Sequence, residues 1–164
     1  MTSVTGEIVS ALRRNRDEFL ALADSLGPDD WNRETPDNET WTVKDALSHL
    51  TASDRSMAGL VKAVVEGTYD VEAGKRFILS DFNERQVERR RETSVADLRT
   101  EMDQNRAQLM SMVAQLTTDQ LSTPVWSFGV DGTRGIAIPL GERLLEYASH
   151  DAYHAAHVKT AVGR

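Results

Sequence analysis

The chain has 164 residues, 27% of them charged and 40% hydrophobic, which is enough to bury a core and fits one globular domain over residues 1–164. Its 26 acidic and 19 basic residues leave a formal charge of −7, which repels phosphate backbones and anionic lipid and argues against nucleic-acid and membrane partners. There is no cysteine, so disulfides, thiolate metal sites and a cysteine nucleophile are excluded.

No stretch reaches the roughly 18 apolar residues of a membrane span. The start, "MTSVTGEIVSALRRNRDEF", lacks the basic residues and apolar run of a secretory signal, so a cytoplasmic protein is expected. From about Thr5 to Ser25, Ile8, Leu12, Phe19, Leu22 and Leu26 recur at helical spacing. Gly27 and Pro28 stop that helix, and the polar connector "NRETPDNETW" follows. Thr42 is an N-cap for a second helix reaching about Gly67, with Asp45 in its first turn and a stripe of Val43, Ala46, Leu47, Leu50, Met57, Val61 and Val64. "TYDVEAGKRFIL" reads as a loop.

Ser80 can cap a third helical stretch, and Ser94 can cap again ahead of "VADLRTEMDQNRAQLMSMVAQL", whose buried face is Leu98, Met102, Leu109, Met112 and Leu116. The basic cluster Arg89, Arg90 and Arg91 is interleaved with glutamates and reads as a solvated helix face. Thr117 to Arg134 is loop-like, with "PVWSF" as its one strand-like run. Pro139 opens a last helix, Leu140 to about Val162. Four long amphipathic segments imply an all-α protein, a four-helix bundle.

Of the 4 histidines, three fall in "EYASHDAYHAAHVK". On the last helix His150, His154 and His157 share an arc of roughly 60° beside the apolar stripe. His150 and His154 are i, i+4 neighbours, the spacing of a helical metal clamp. His49 flanks the stripe of the second helix and could supply a third imidazole, making a three-ligand site with open positions. The other reading is ordinary polar histidines bonded to water and carbonyls, and spacing does not decide between the two.

"WTVKDALSHLTASD" (residues 41–54) and "HDAYHAAHV" (residues 150–158) resemble the second- and last-helix motifs of the DinB/YfiT-like superfamily, and "DFNERQVERRRETSVADL" and "LTTDQLSTPVW" resemble its intervening parts. The resemblance covers nearly the whole chain. It implies a four-helix bundle holding a divalent metal ion, zinc or nickel foremost, on His49, His150 and His154. Mycothiol-dependent maleylpyruvate isomerases, a related branch, carry glutamate where this chain has His150, which points to the all-histidine type. His157 stands where many members have glutamine, so it is placed beside the metal ligands or facing substrate.

The activity so implied is thiol-dependent transfer or isomerisation, or metal-assisted hydrolysis, of a small molecule, with a low-molecular-weight thiol as co-reactant. His157, Tyr153 and Asp54 are the acid/base candidates, in that order, against packed or solvated roles for each. Asp151 or Glu146 is placed either as acceptor for a ligand imidazole or in a surface salt bridge. Trp126 and Phe128, in "WSFGVDGTRG", are candidates for a substrate-selecting wall. Two other readings stand beside the enzyme: a non-catalytic sequestration bundle, and an interaction protein whose last-helix histidines form a homodimer seam.

Overall fold

The computed structural model describes residues 3–36 and 38–164. Helix α1 spans Val4–Asp24 and is capped by the Ser3 hydroxyl, which accepts from the Gly6 N–H at 3.1 Å. Pro28–Asn32 form a 3-10 turn, and the short strands β1 (Glu34–Thr35) and β2 (Asn38–Thr42) pair antiparallel ahead of α2 (Val43–Val65). Thr42 closes a reciprocal cap on α2. Its hydroxyl accepts from the Asp45 N–H at 3.2 Å, and the Asp45 carboxylate accepts from the Thr42 N–H at 2.9 Å.

The segment expected to be a loop contains α3 (Val71–Lys75), begun by Asp70, whose carboxylate accepts from the Glu72 N–H. Five residues are too few to show a helical apolar period, which is why only the capping chemistry announces it. Next come α4 (Leu79–Arg89) and α5 (Val95–Val113). Helix α4 starts at Leu79, placing Ser80 inside its first turn, whereas Ser94 caps α5 as expected, accepting from the Asp97 N–H at 3.0 Å.

Helix α6 (Thr118–Leu121) leads into a hairpin of β3 (Pro124–Ser127) and β4 (Ile136–Pro139), with Pro124 opposite Pro139 and Ser127 opposite Ile136. Gly129 and Gly132 in its loop have φ of 72° and 76°, backbone that side chains with a Cβ rarely adopt. The last helix is two segments, α7 (Leu140–Ala148) and α8 (His150–Ala161). At Ser149 the ladder tightens: its N–H and its hydroxyl both donate to the Glu146 carbonyl, one residue before His150.

Helices α1, α2, α5 and α7–α8 form the bundle, and two apolar clusters fill it. One holds Ile8, Leu12, Met57, Val61, Leu109, Val113, Leu140 and Leu144; the other holds Phe19, Leu22, Val43, Leu47, Leu50, Leu98, Met102, Ala155 and Val158. The order in which each helix crosses these clusters gives its direction. Helices α1 and α7–α8 run from the first cluster to the second; α2 and α5 run the opposite way. Two successive bundle helices that run parallel need a crossover, and α3 and α4 supply it.

Between the clusters lies a buried ionic layer, one side chain per bundle element: Arg16, Asp54, Arg106 and Asp151, all 3% exposed or less. Arg16 reaches Asp54 at 2.9 Å and Asp151 at 2.8 Å; Arg106 reaches the same two carboxylates at 2.8 and 3.1 Å. Each guanidinium also donates to a main-chain carbonyl, Arg16 to Met102 and Arg106 to Leu12. Burial works to lower the pKa of Arg16, but the charges of Asp151 and Asp54 outweigh it and raise the group above its ordinary value. Asp151 therefore sits in a buried ion pair, not the surface salt bridge considered for it.

Removing one member takes a partner from two opposite charges and leaves one net charge uncompensated in the core. Asp54→Ala is expected to cost about 3–5 kcal/mol in urea unfolding; a loss below about 1 kcal/mol would mean that the layer is not coupled.

Candidate metal centre

His49 on α2 and His150 and His154 on α8 converge. The Nε2 atom of His150 lies 3.1 Å from Nε2 of His49 and 3.1 Å from Nε2 of His154, and one ring nitrogen from each residue falls within 4.8 Å of the others. Three ligands of a tetrahedral zinc ion, each at about 2.05 Å, stand about 3.3 Å apart, so both distances from His150 suit such an ion. A single His150 nitrogen facing two others makes poor hydrogen-bond chemistry and good chelate geometry. His49 and His154 are buried, and His150 is half-buried.

Burial, then the neighbouring imidazoles and Arg143, push the pKa of His150 well below its ordinary value, which keeps it neutral and its lone pair available. Its support is aromatic. The Tyr147 ring stacks on it with centroids 5.4 Å apart and planes at 27°, and the Tyr147 hydroxyl donates to Asp54 at 2.7 Å. Burial and the Asp54 charge raise the Tyr147 pKa well above the usual phenol, so that proton stays in place. Neither carboxylate considered as an imidazole acceptor takes that part. Asp151 is committed to the two arginines, Glu146 accepts from Ser127 and Arg134, and His150 Nδ1 is buried without a hydrogen-bond partner.

The three histidines face a cavity of about 710 Å³. Its walls are largely aromatic: Trp41, Phe77, Phe82, Trp126, Phe128 and Tyr153. Trp41 lies against His49 at 5.1 Å and is anchored by its indole N–H donating to Glu84 of α4 at 2.8 Å. The main-chain N–H of Trp126 donates to the Tyr69 hydroxyl at 2.8 Å, and the hairpin segment with Trp126 and Phe128 forms one wall.

Of the acid/base candidates, Tyr153 joins the cavity beside His154, with ring centroids 5.1 Å apart. His157 and Asp54 do not. His157 packs behind Tyr153 at 4.5 Å, outside the lining, and Asp54 is sealed in the ionic layer. His150 and His154 both line the cavity. Arg16, Arg106 and Tyr147 escaped the sequence reading, yet a signal existed. Arg16 falls four after Leu12 and three before Phe19, and Arg106 four after Met102 and three before Leu109, so each is a charge standing in an apolar stripe.

The sequence profile of the DinB superfamily matches residues 11–158. The chain belongs to the DinB superfamily. Among solved structures, this DinB bundle is similar to mycothiol-dependent maleylpyruvate isomerase, with a TM-score of 0.76 and 14% identity over 96% of the chain. A histidine-to-alanine mutant of a mycothiol-dependent maleylpyruvate isomerase matches with a TM-score of 0.75, also at 14% identity and 96% coverage. The DinB bundle spans 63% of the length of each of those chains. A search of curated proteins finds no match.

The hairpin wall depends on a close approach. A Cβ added at Gly74 of α3 would lie 2.7 Å from Trp126 Cβ and 2.8 Å from the Tyr69 hydroxyl, whereas one at Gly59 of α2 meets nothing within 4 Å. The two alanine substitutions should therefore have opposite signs in urea unfolding. Gly74→Ala is expected to lose about 1–3 kcal/mol, and Gly59→Ala to gain about 0.5–1 kcal/mol.

Proposed function

We propose that the chain is a metal-dependent enzyme in which His49, His150 and His154 hold one divalent ion, zinc or nickel foremost, at the edge of a cavity for a small molecule. The convergence of three ring nitrogens on an apolar cavity carries this reading. Three protein ligands leave a position open for chemistry, whereas structural zinc sites are closed by four. An ion there supplies Lewis acidity, polarising a carbonyl or lowering the pKa of a thiol or water.

The chain's own residues do the rest. The aromatic walls exclude water and hold an apolar body, and a cavity of this size takes one small molecule. Tyr153, beside His154, is positioned to give or take a proton at its hydroxyl oxygen, and replaces His157 and Asp54 in that role. The reaction is transfer or isomerisation with a low-molecular-weight thiol, in preference to hydrolysis. The name of the similar isomerase includes such a thiol, and a chain without cysteine must draw its thiol from outside. Small thiols are kept reduced in the cytoplasm, where we place the protein. No helix among the described residues is long and apolar enough to cross a membrane.

The aromatic lining also favours a second reading, in which the cavity sequesters a ligand without turning it over. A metal-stripped protein that binds as tightly as the loaded one and never turns substrate over would select it.

Protein purified without a nickel column is expected to contain about one divalent ion per chain by elemental analysis. His49→Ala and His154→Ala should each weaken that binding by well over tenfold, or about 1.4 kcal/mol. Unchanged metal content in either variant would refute the ligand assignment.

A further inference from the structure

Arg143 is the one lysine or arginine that lines the cavity among the described residues. It stands on α7, seven residues before His150, which is two helical turns or about 10 Å of rise along the same face. The guanidinium makes no hydrogen bond or ion pair with any described residue, and its Nε is buried without a partner. Its nearest aromatic support is the Tyr147 ring, 6.0 Å away, at the outer limit of a cation–π contact.

The carboxylates around the cavity are otherwise engaged. Glu146 accepts from Ser127 at 2.6 Å and from Arg134 at 2.7 Å. Asp131 accepts from the main chain and hydroxyl of Thr133, and Asp70 caps α3. The contrast with Arg16 and Arg106 is direct. Those two are each paired with two carboxylates and held above the ordinary arginine pKa, whereas burial lowers that of Arg143. A desolvated, unpaired guanidinium is costly, and a fork of N–H donors beside apolar walls is suited to a planar anion.

We propose that Arg143 is the anion-binding residue of this cavity, taking the carboxylate of the substrate or of its thiol conjugate while the reactive end lies at His49, His150 and His154. Arg143 is the one lysine or arginine in the described lining, and a single guanidinium matches a carboxylate better than a doubly charged phosphate. The position of the reactive end rests on the metal reading above; the anion site does not.

The probes are 4-phenylbutyrate and its neutral amide, titrated calorimetrically into zinc-loaded and chelator-treated protein, with zinc content measured on every sample. The wild type is expected to bind the acid about tenfold or more tighter than the amide in both states. Arg143→Met should reduce that preference to about twofold or less, leave amide affinity and zinc content unchanged, and melt no lower than wild type, because an unpaired charge has been replaced by an apolar group. Arg143→Lys should keep part of the preference. A wild type that does not prefer the acid, or an Arg143→Met variant that keeps the full preference, overturns the proposal. So does a preference that vanishes on chelation, since the metal would then hold the carboxylate. Failure of zinc to bind would count against the metal reading alone, because the chelated comparison still tests Arg143.

Discussion

Two guanidinium groups and two carboxylates cross the middle of the bundle, and each bundle element contributes one of them. An apolar core tolerates small slips of one helix past another; a buried bidentate ion layer does not, because a displacement of one residue leaves a charge unpaired in a medium of low dielectric. The layer thus sets the register of α1, α2, α5 and α8 together. It also reaches the candidate metal centre. Asp54 accepts from Tyr147, and the Tyr147 ring stacks against His150, so the central imidazole is supported through a hydroxyl fixed by the layer. In many metal sites a carboxylate holds the ligand imidazole directly. Here the support passes through an aromatic face, and His150 Nδ1 is left without a hydrogen-bond partner.

The direction of the helices explains where the cavity lies. Because α2 and α5 run the same way, the chain must return along the outside of the bundle between them, and α3 and α4 make that return. The returning segment and the β3–β4 hairpin supply Phe77, Phe82, Trp126 and Phe128 to the cavity. The bundle positions the three histidines, and the connections, which can change with little effect on the core, wall the cavity they face.

The long helices were legible because a stripe such as Leu47, Leu50, Met57 and Val61 can be read without knowing what it packs against, and Thr42 and Ser94 announce their caps locally. The candidate metal ligands were legible partly by spacing, His150 and His154, and partly by the family motif around His49. Less could be read where the signal is short or depends on another helix. Helix α3 and the β1–β2 pair hold too few residues to show a period, whereas β3 falls within the strand-like run "PVWSF". Asp54 looked like a solvated acid because its partners, Arg16 and Arg106, lie 38 and 52 residues away along the chain. His157 shares the arc of its neighbours, but Tyr153 occupies the space between it and the cavity.

Buried charge is used in two opposite ways within one small bundle. The ionic layer is electroneutral, so it orders the helices while its charges are paired within it. Arg143 lies outside that balance: it lines the cavity without an ion pair among the described residues, and its Nε is buried without a partner. A divalent ion on three neutral imidazoles would bring further positive charge to the same apolar space, and no cavity carboxylate stands unengaged to offset it. If Arg143 takes an anion as proposed, a neutral molecule leaves the guanidinium desolvated, whereas an anion with an apolar body satisfies it and the aromatic walls together.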